Sequence, residues 1–153
     1  MATLSSPASE SFAPFVARSL DTVAAENPRA YQDLCALLLP CALRLHVDGE
    51  SLALRSDGRR IEISTSNGAT LPLVRTSWQA LFDLARGKER IEEALQRESL
   101  YARGRLCDLL SIFDALQVFV HAAARSSALS RLYLEFAKAC ARRGIDTRGR
   151  PCP

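Results

Sequence analysis

SWQALFDLARGKERIEEALQRESLYARGRLCDLLSIFDALQVFV, residues 77–120, is the stretch whose reading decides the fold. Trp78, Leu81, Phe82 and Ala85 fall at i, i+3, i+4 and i+7, the spacing of one buried helical face. Gly87 follows, where a helix can end on a left-handed residue. Ile91, Ala94 and Leu95 predict a short second helix with one apolar side. Leu100 to Gly104, with a tyrosine and a closing glycine, reads as a strand. Leu106, Leu109, Leu110, Phe113, Leu116 and Val120 then make one helical stripe, which Ile112, Phe119 and Ala123 widen. Polar relief comes from Asp108, Ser111, Asp114 and Gln117 before His121. A helix lying on one sheet needs an apolar arc of roughly 100°, and this helix has more. The surplus faces another helix, another chain or an apolar ligand.

Upstream the hydrophobic period changes from helical to alternating. Leu43, Leu45 and Val47 alternate with Arg44 and His46, Leu52 and Leu54 with Ala53 and Arg55, and Ile61 and Ile63 with Glu62 and Ser64. Asp48-Gly49, Asp57-Gly58 and Asn67-Gly68 separate these runs. Such dipeptides suit hairpins because type I′ turns need positive φ at both central residues. The pattern predicts an antiparallel meander whose fourth strand spans Leu71 to Val74. Pro72 cannot donate to a ladder, which predicts an edge or a bulge there. Arg44, His46, Arg55 and Glu62 share the water-facing side, and helices must cover the aliphatic side.

Those helices are predicted over 11–25, over 28–39 with Asn27 as cap and Pro28 at the first helical position, and over 128–142. Leu129, Leu132, Tyr133, Phe136 and Cys140 point inward on the last of them. Residues 1–10 and 144–153 read as disordered tails, leaving one domain over 11–143. Two helices, four strands, two helices, one strand and two helices make an α+β domain with helices gathered on one sheet face.

The 153 residues are enough for one domain with a core of its own. The net charge of +3 is spread along the chain, which argues against a nucleic-acid partner. The predominance of arginine over lysine, with abundant alanine and leucine, has the look of a GC-rich bacterial genome. No basic segment followed by an apolar run opens the chain, and no stretch reads as about 18 consecutive apolar residues. The expected location is therefore the cytoplasm, with no transmembrane segment. Cys35, Cys41, Cys107, Cys140 and Cys152 show no metal-ligand spacing. Cys35, Cys107 and Cys140 fall in helical apolar patterns and read as small core hydrophobes.

No nucleophile elbow, zinc-protease helix, phosphate loop or dinucleotide fingerprint occurs, and neither a metal nor a cofactor is expected. Of the two histidines, His46 lies on the solvent side of a strand. His121 lines up with Asp114, Gln117 and Arg125 on one side of the long helix. His121 as general base with Asp114 as its partner is the one catalytic constellation the chain offers. The same row also reads as the wet side of the helix.

In layout the chain resembles the sterol carrier protein 2 (SCP-2) family over roughly Tyr31 to Phe136. The likeness rests on the glycine-turned meander, the run TSWQALFDLARGK, Ala94-Leu95, the strand LYARG and the helix opening LLSIF. It implies a mostly antiparallel five-stranded sheet with helices on one face enclosing an apolar pocket for sterols, fatty acyl chains or other lipids. The residues pointing over the sheet would then be Trp78, Phe82, Leu95, Leu110, Phe113, Leu116, Phe119, Val120 and Phe136. The chain departs from the family in its arginine-rich surface and in ending RPCP rather than in a peroxisomal tripeptide. A closed core, a homodimer interface and an accessory module to an enzyme use the same apolar surplus.

Overall fold

A computed structural model describes residues 11–39, 42–65 and 72–145. Its elements are α1 (Ala13–Glu26), α2 (Pro28–Leu38), β1 (Leu43–Val47), β2 (Glu50–Ser56), β3 (Ile61–Ser64), β4 (Leu73–Thr76), α3 (Trp78–Ala85), α4 (Ile91–Gln96), β5 (Tyr101–Arg103), α5 (Leu106–Ala123) and α6 (Ser127–Arg142). The domain is α+β, as expected. Residues 1–10 and 146–153 of the expected tails, Cys41, Cys152 and the Asn67-Gly68 turn lie outside the described residues, whereas Ile145 at the start of the second tail donates its amide to the Cys140 carbonyl at 3.1 Å and packs against the core.

The strand order is β3-β2-β1-β4-β5, and β1 pairs with β4 in parallel while the other three pairings are antiparallel. The expected simple meander is thus corrected: β4 crosses to the far side of β1 and becomes an interior strand. Pro72 is tolerated because it precedes the strand and contributes only its carbonyl, which accepts from the Arg44 amide at 3.0 Å. The first hairpin turn is as read, with positive φ at both Asp48 and Gly49. The second is a longer loop. There Asp57 Oδ1 accepts the amides of Arg59 and Arg60, both at 2.8 Å, an Asx arrangement that leaves only Gly58 with positive φ.

Helix boundaries follow local chemistry. Asn27 Oδ1 accepts the Ala30 amide at 3.1 Å and Pro28 opens α2. Ser77 Oγ accepts from Ala80 to start α3, and Asp48 Oδ2 takes the Trp78 amide at 2.8 Å, so the first hairpin fixes where Trp78 enters the core. Glu50 does the same for α1: its carboxylate accepts from the Ser11 hydroxyl and from the amides of Phe12 and Ala13. Burial opposes ionisation of Glu50. These hydrogen bonds and the nearby Arg143 charge outweigh it and hold the carboxyl below its usual range.

The core has two parts. One joins Leu34, Cys35 and Leu38 of α2 to Leu54, Ile61, Ala115, Ala122, Leu129 and Leu132. The other joins Phe12, Val47, Leu52, Trp78, Phe82, Phe136, Ala139 and Cys140. Tyr133, Phe136 and Cys140 face inward on α6 as the spacing predicts.

Candidate apolar site

The nine candidate residues divide into two groups. Trp78, Phe82 and Phe136 are buried. Trp78 and Phe136 stack with ring centroids 5.2 Å apart, and the rings of Phe12 and Phe15 meet both edge-on. Arg143 places its guanidinium 3.9 Å over the Trp78 ring. This is close aromatic packing, in which each ring already has partners.

The other group lies on α5 and α4. Leu110, Phe113 and Val120 are exposed, as is Leu95 on α4, whose apolar side is carried by Ala94 instead. Leu116 and Phe119 are partly buried, and Phe119 packs against the α2 side of the core. The buried positions of α5 are Asp108, Ala115 and Ala122, seven residues apart. The expected inward stripe is therefore corrected. The helix turns its small residues toward α2 and leaves several large ones outside, including Leu106 at 73% exposure. Small side chains at this seam let two helix axes approach closely. Asp108, expected to give polar relief, is instead buried and pairs with Arg105 at 3.2 Å.

Over its 18 residues α5 has a mean hydropathy of 1.5, long and apolar enough to cross a membrane by length and composition. The window contains Asp108 and Asp114, so it is not a run of about 18 consecutive apolar residues. Only 17% of the window is buried in the fold. Depressions on the described surface include two that are open to solvent. One, of about 480 Å³, is lined by Arg103, Gly104, Arg105 and Asp108. The other, of about 170 Å³, is lined by Leu38, Leu39, Ala42, Arg55 and Ser56. Neither is lined by any of the nine candidates.

His121 and Asp114 are both exposed, on the wet side of α5. His46 shares a hydrogen bond of 2.9 Å with Ser51. Cys35 and Cys140 are buried, but Cys107 is exposed, which corrects its reading as core. Burial pushes the Cys140 thiol up to about 11, the opposite of what a nucleophilic thiolate needs. Among the described residues no group of three or more histidine, cysteine or carboxylate side chains could hold a metal.

A solved structure described as a UbiJ-SCP2 ubiquinone synthesis protein is similar to this chain with a TM-score of 0.52 at 20% identity, over 73% of this chain and 99% of that one. The fold is SCP2-like. No family model matches the sequence, and no curated protein matches it. Within the SCP2-like fold the landmarks read from sequence occupy their expected order. Gly87 ends the α3 region with φ of 71°, Ala94 buries α4, and the short strand β5 leads through Gly104 into the long apolar helix. The sequence missed two features. The seven-residue spacing of Asp108, Ala115 and Ala122 was the available sign of which side of α5 goes in. Leu106, the most exposed large hydrophobic residue, was not among the candidates.

Proposed function

We propose that this domain binds and carries a hydrophobic small molecule, such as a sterol, a fatty acyl chain or a similar lipid, against the outer face of α5. One observation carries the reading: Leu106, Leu110, Phe113 and Val120 stand exposed on a single helix, while alanines occupy its buried side. Covering a large apolar side chain contributes about 1.5–3 kcal/mol when burial is complete. Leu106, Leu110, Phe113 and Val120 are 73%, 55%, 37% and 47% exposed, so covering what remains of all four contributes about 3–6 kcal/mol. The SCP2-like fold supports the same class of guest. The ubiquinone-synthesis description of the similar structure makes a long-chain isoprenoid a reasonable member of it.

A second reading uses the same face as an accessory or dimerisation module, with His121 and Asp114 as general base and partner if it is catalytic. The exposed α5 face serves this reading equally. Organic extraction of the purified, denatured protein followed by mass spectrometry separates them. A stoichiometric apolar molecule is the expected result. A guest-free protein that is a tight dimer through Phe113 and Phe119 would establish the module instead, and turnover lost in His121→Ala would be needed for an enzyme.

A further inference from the structure

The helices cover one face of the sheet, and the strand pairing sets what lies on the other. Arg44 on β1 is opposite Ala53 on β2 and Leu73 on β4, and Leu73 is opposite Arg103 on β5. One row therefore reads Ala53, Arg44, Leu73, Arg103. The next reads Ser51, His46, Arg75, Tyr101. Alternation puts both rows on the side away from Leu45, Leu52 and Leu54. Neighbouring strands lie about 4.8 Å apart, so Arg44 and Arg103 have Cα atoms about 10 Å apart. Arg75 is a member of the second row, with its guanidinium 4.7 Å over the ring of its neighbour Tyr101.

None of Arg44, Arg75 and Arg103 forms an ion pair with a carboxylate among the described residues. Arg44 Nε is shielded from solvent with no hydrogen-bond partner. The described strand carboxylate on this face, Glu62, stands opposite Arg55 on the far edge strand. Three like charges held this close repel one another unless an anion lies over them. The parallel placement of β4 is what gathers them, since Arg103 joins the Arg44 row, and Arg75 the neighbouring His46 row, only through it.

Arg103 also borders the open depression shared with Arg105. The chain runs directly from there into Leu106 and Leu110, which are 73% and 55% exposed. Arg44, Arg75 and Arg103, none with a carboxylate partner among the described residues, lead through Arg103 into exposed leucines close along the chain and match the boundary between phosphate head groups and acyl chains. Neither a nucleic acid nor an acidic protein segment accounts for the leucines. We infer that the open sheet face, through Arg44, Arg75 and Arg103, docks this domain on a bilayer carrying anionic phospholipids, with Leu106 and Leu110 entering its edge. Asp114, exposed on α5, opposes close approach beyond the second turn of that helix. The choice of a bilayer as partner rests on the carrier reading, because an apolar guest is stored in membranes.

The test is sedimentation of the full chain with vesicles of phosphatidylcholine, with and without phosphatidylglycerol. Binding is expected only where phosphatidylglycerol is present, and it should weaken as salt is raised. Each arginine near an anionic surface is worth about fivefold in partitioning. The triple variant R44Q/R75Q/R103Q should thus bind roughly a hundredfold more weakly, with an unchanged circular dichroism spectrum. Leu106→Ser alone should weaken binding without removing its salt dependence. Equal binding to both vesicles, or binding to neither, overturns the inference. So does displacement by a DNA duplex at equal phosphate concentration, which would mark a general polyanion surface. If the triple variant does not fold, the salt series and the duplex competition on the unaltered chain still decide. Uptake of a fluorescent fatty acid without vesicles is measured in parallel. Uptake without docking removes this inference and leaves the carrier, and docking without uptake does the reverse.

Discussion

Phe113→Asp and Phe136→Ala should separate the two aromatic environments of the chain. Phe113 is 37% exposed, so it gains about two-thirds of what full burial contributes, or about 1–2 kcal/mol. The helix propensity of aspartate adds about half a kcal/mol, for a total loss near 2 kcal/mol. Phe136 is 9% exposed and touches the rings of Phe12, Phe15, Trp78 and Phe82. Its truncation should cost about 3–5 kcal/mol. Binding should show the reverse order. A carboxylate beneath an apolar guest loses at least about 2–3 kcal/mol, which lowers affinity roughly thirtyfold to a hundredfold or more. Phe136→Ala leaves the outer face of α5 intact, and its folded fraction should take up a fluorescent fatty acid nearly as the unaltered chain does. Urea unfolding gives the stabilities and fluorescence titration the affinities. Unchanged uptake in Phe113→Asp, or a stability loss as large as that of Phe136→Ala, would refute the assignment of Phe113 to the binding face.

Glu50→Ala should cost about 1.5–3 kcal/mol, since it removes charge-assisted hydrogen bonds at the start of α1. Because the Glu50 carboxyl is held below its unfolded value, that stability is fully present above about pH 4.3. It is lost as pH falls through the folded value, so urea midpoints of the two proteins should converge in acid and stay apart at neutrality. Gly104→Ala would put a Cβ 2.9 Å from Pro72 Cβ. It should force β5 away from β4 at about 1–3 kcal/mol, seen as a lowered melting temperature. A thiol reagent followed by peptide mapping should modify Cys107 in the native protein, with Cys35 and Cys140 reacting only after denaturant is added, since both are buried and burial raises both thiols.

What was legible in the sequence was local. Asn27-Pro28, Asp48-Gly49 and the Trp78–Phe82 face each act within a few residues, through a cap, a positive φ or a helical period, and each stands where its chemistry puts it. The parallel pairing of β1 with β4 has no such sign. Antiparallel neighbours joined by short turns announce themselves in the turn residues, whereas parallel neighbours are joined through a crossover whose ends carry no marker of the partner. That one pairing turned an expected edge strand into an interior one. It also moved Arg75 and Arg103 beside Arg44, so a charged face that reads as ordinary solvated surface from spacing alone became a concentrated one.

The same limit governs α5. A helix with large apolar residues on most of its sides predicts that these point over the sheet, since burial favours area, and only the seven-residue spacing of the small residues Ala115 and Ala122 points the other way. Side-chain size at the helix–helix seam decides otherwise. Ala115 and Ala122 face the α2 side of the core, where Leu34, Cys35 and Leu38 already fill the space. A leucine or phenylalanine at either position would push the helices apart, and overpacking of that kind costs about 1–3 kcal/mol. Leu106, Leu110, Phe113 and Val120 are therefore displaced to the outer side, where the fold covers them only in part. Exposed large hydrophobics gathered on one helix mark a surface used for binding more often than singly scattered ones do. The alanines at this seam and the leucines opposite them are thus one arrangement: close packing on one side of α5 is what makes its other side available to a guest.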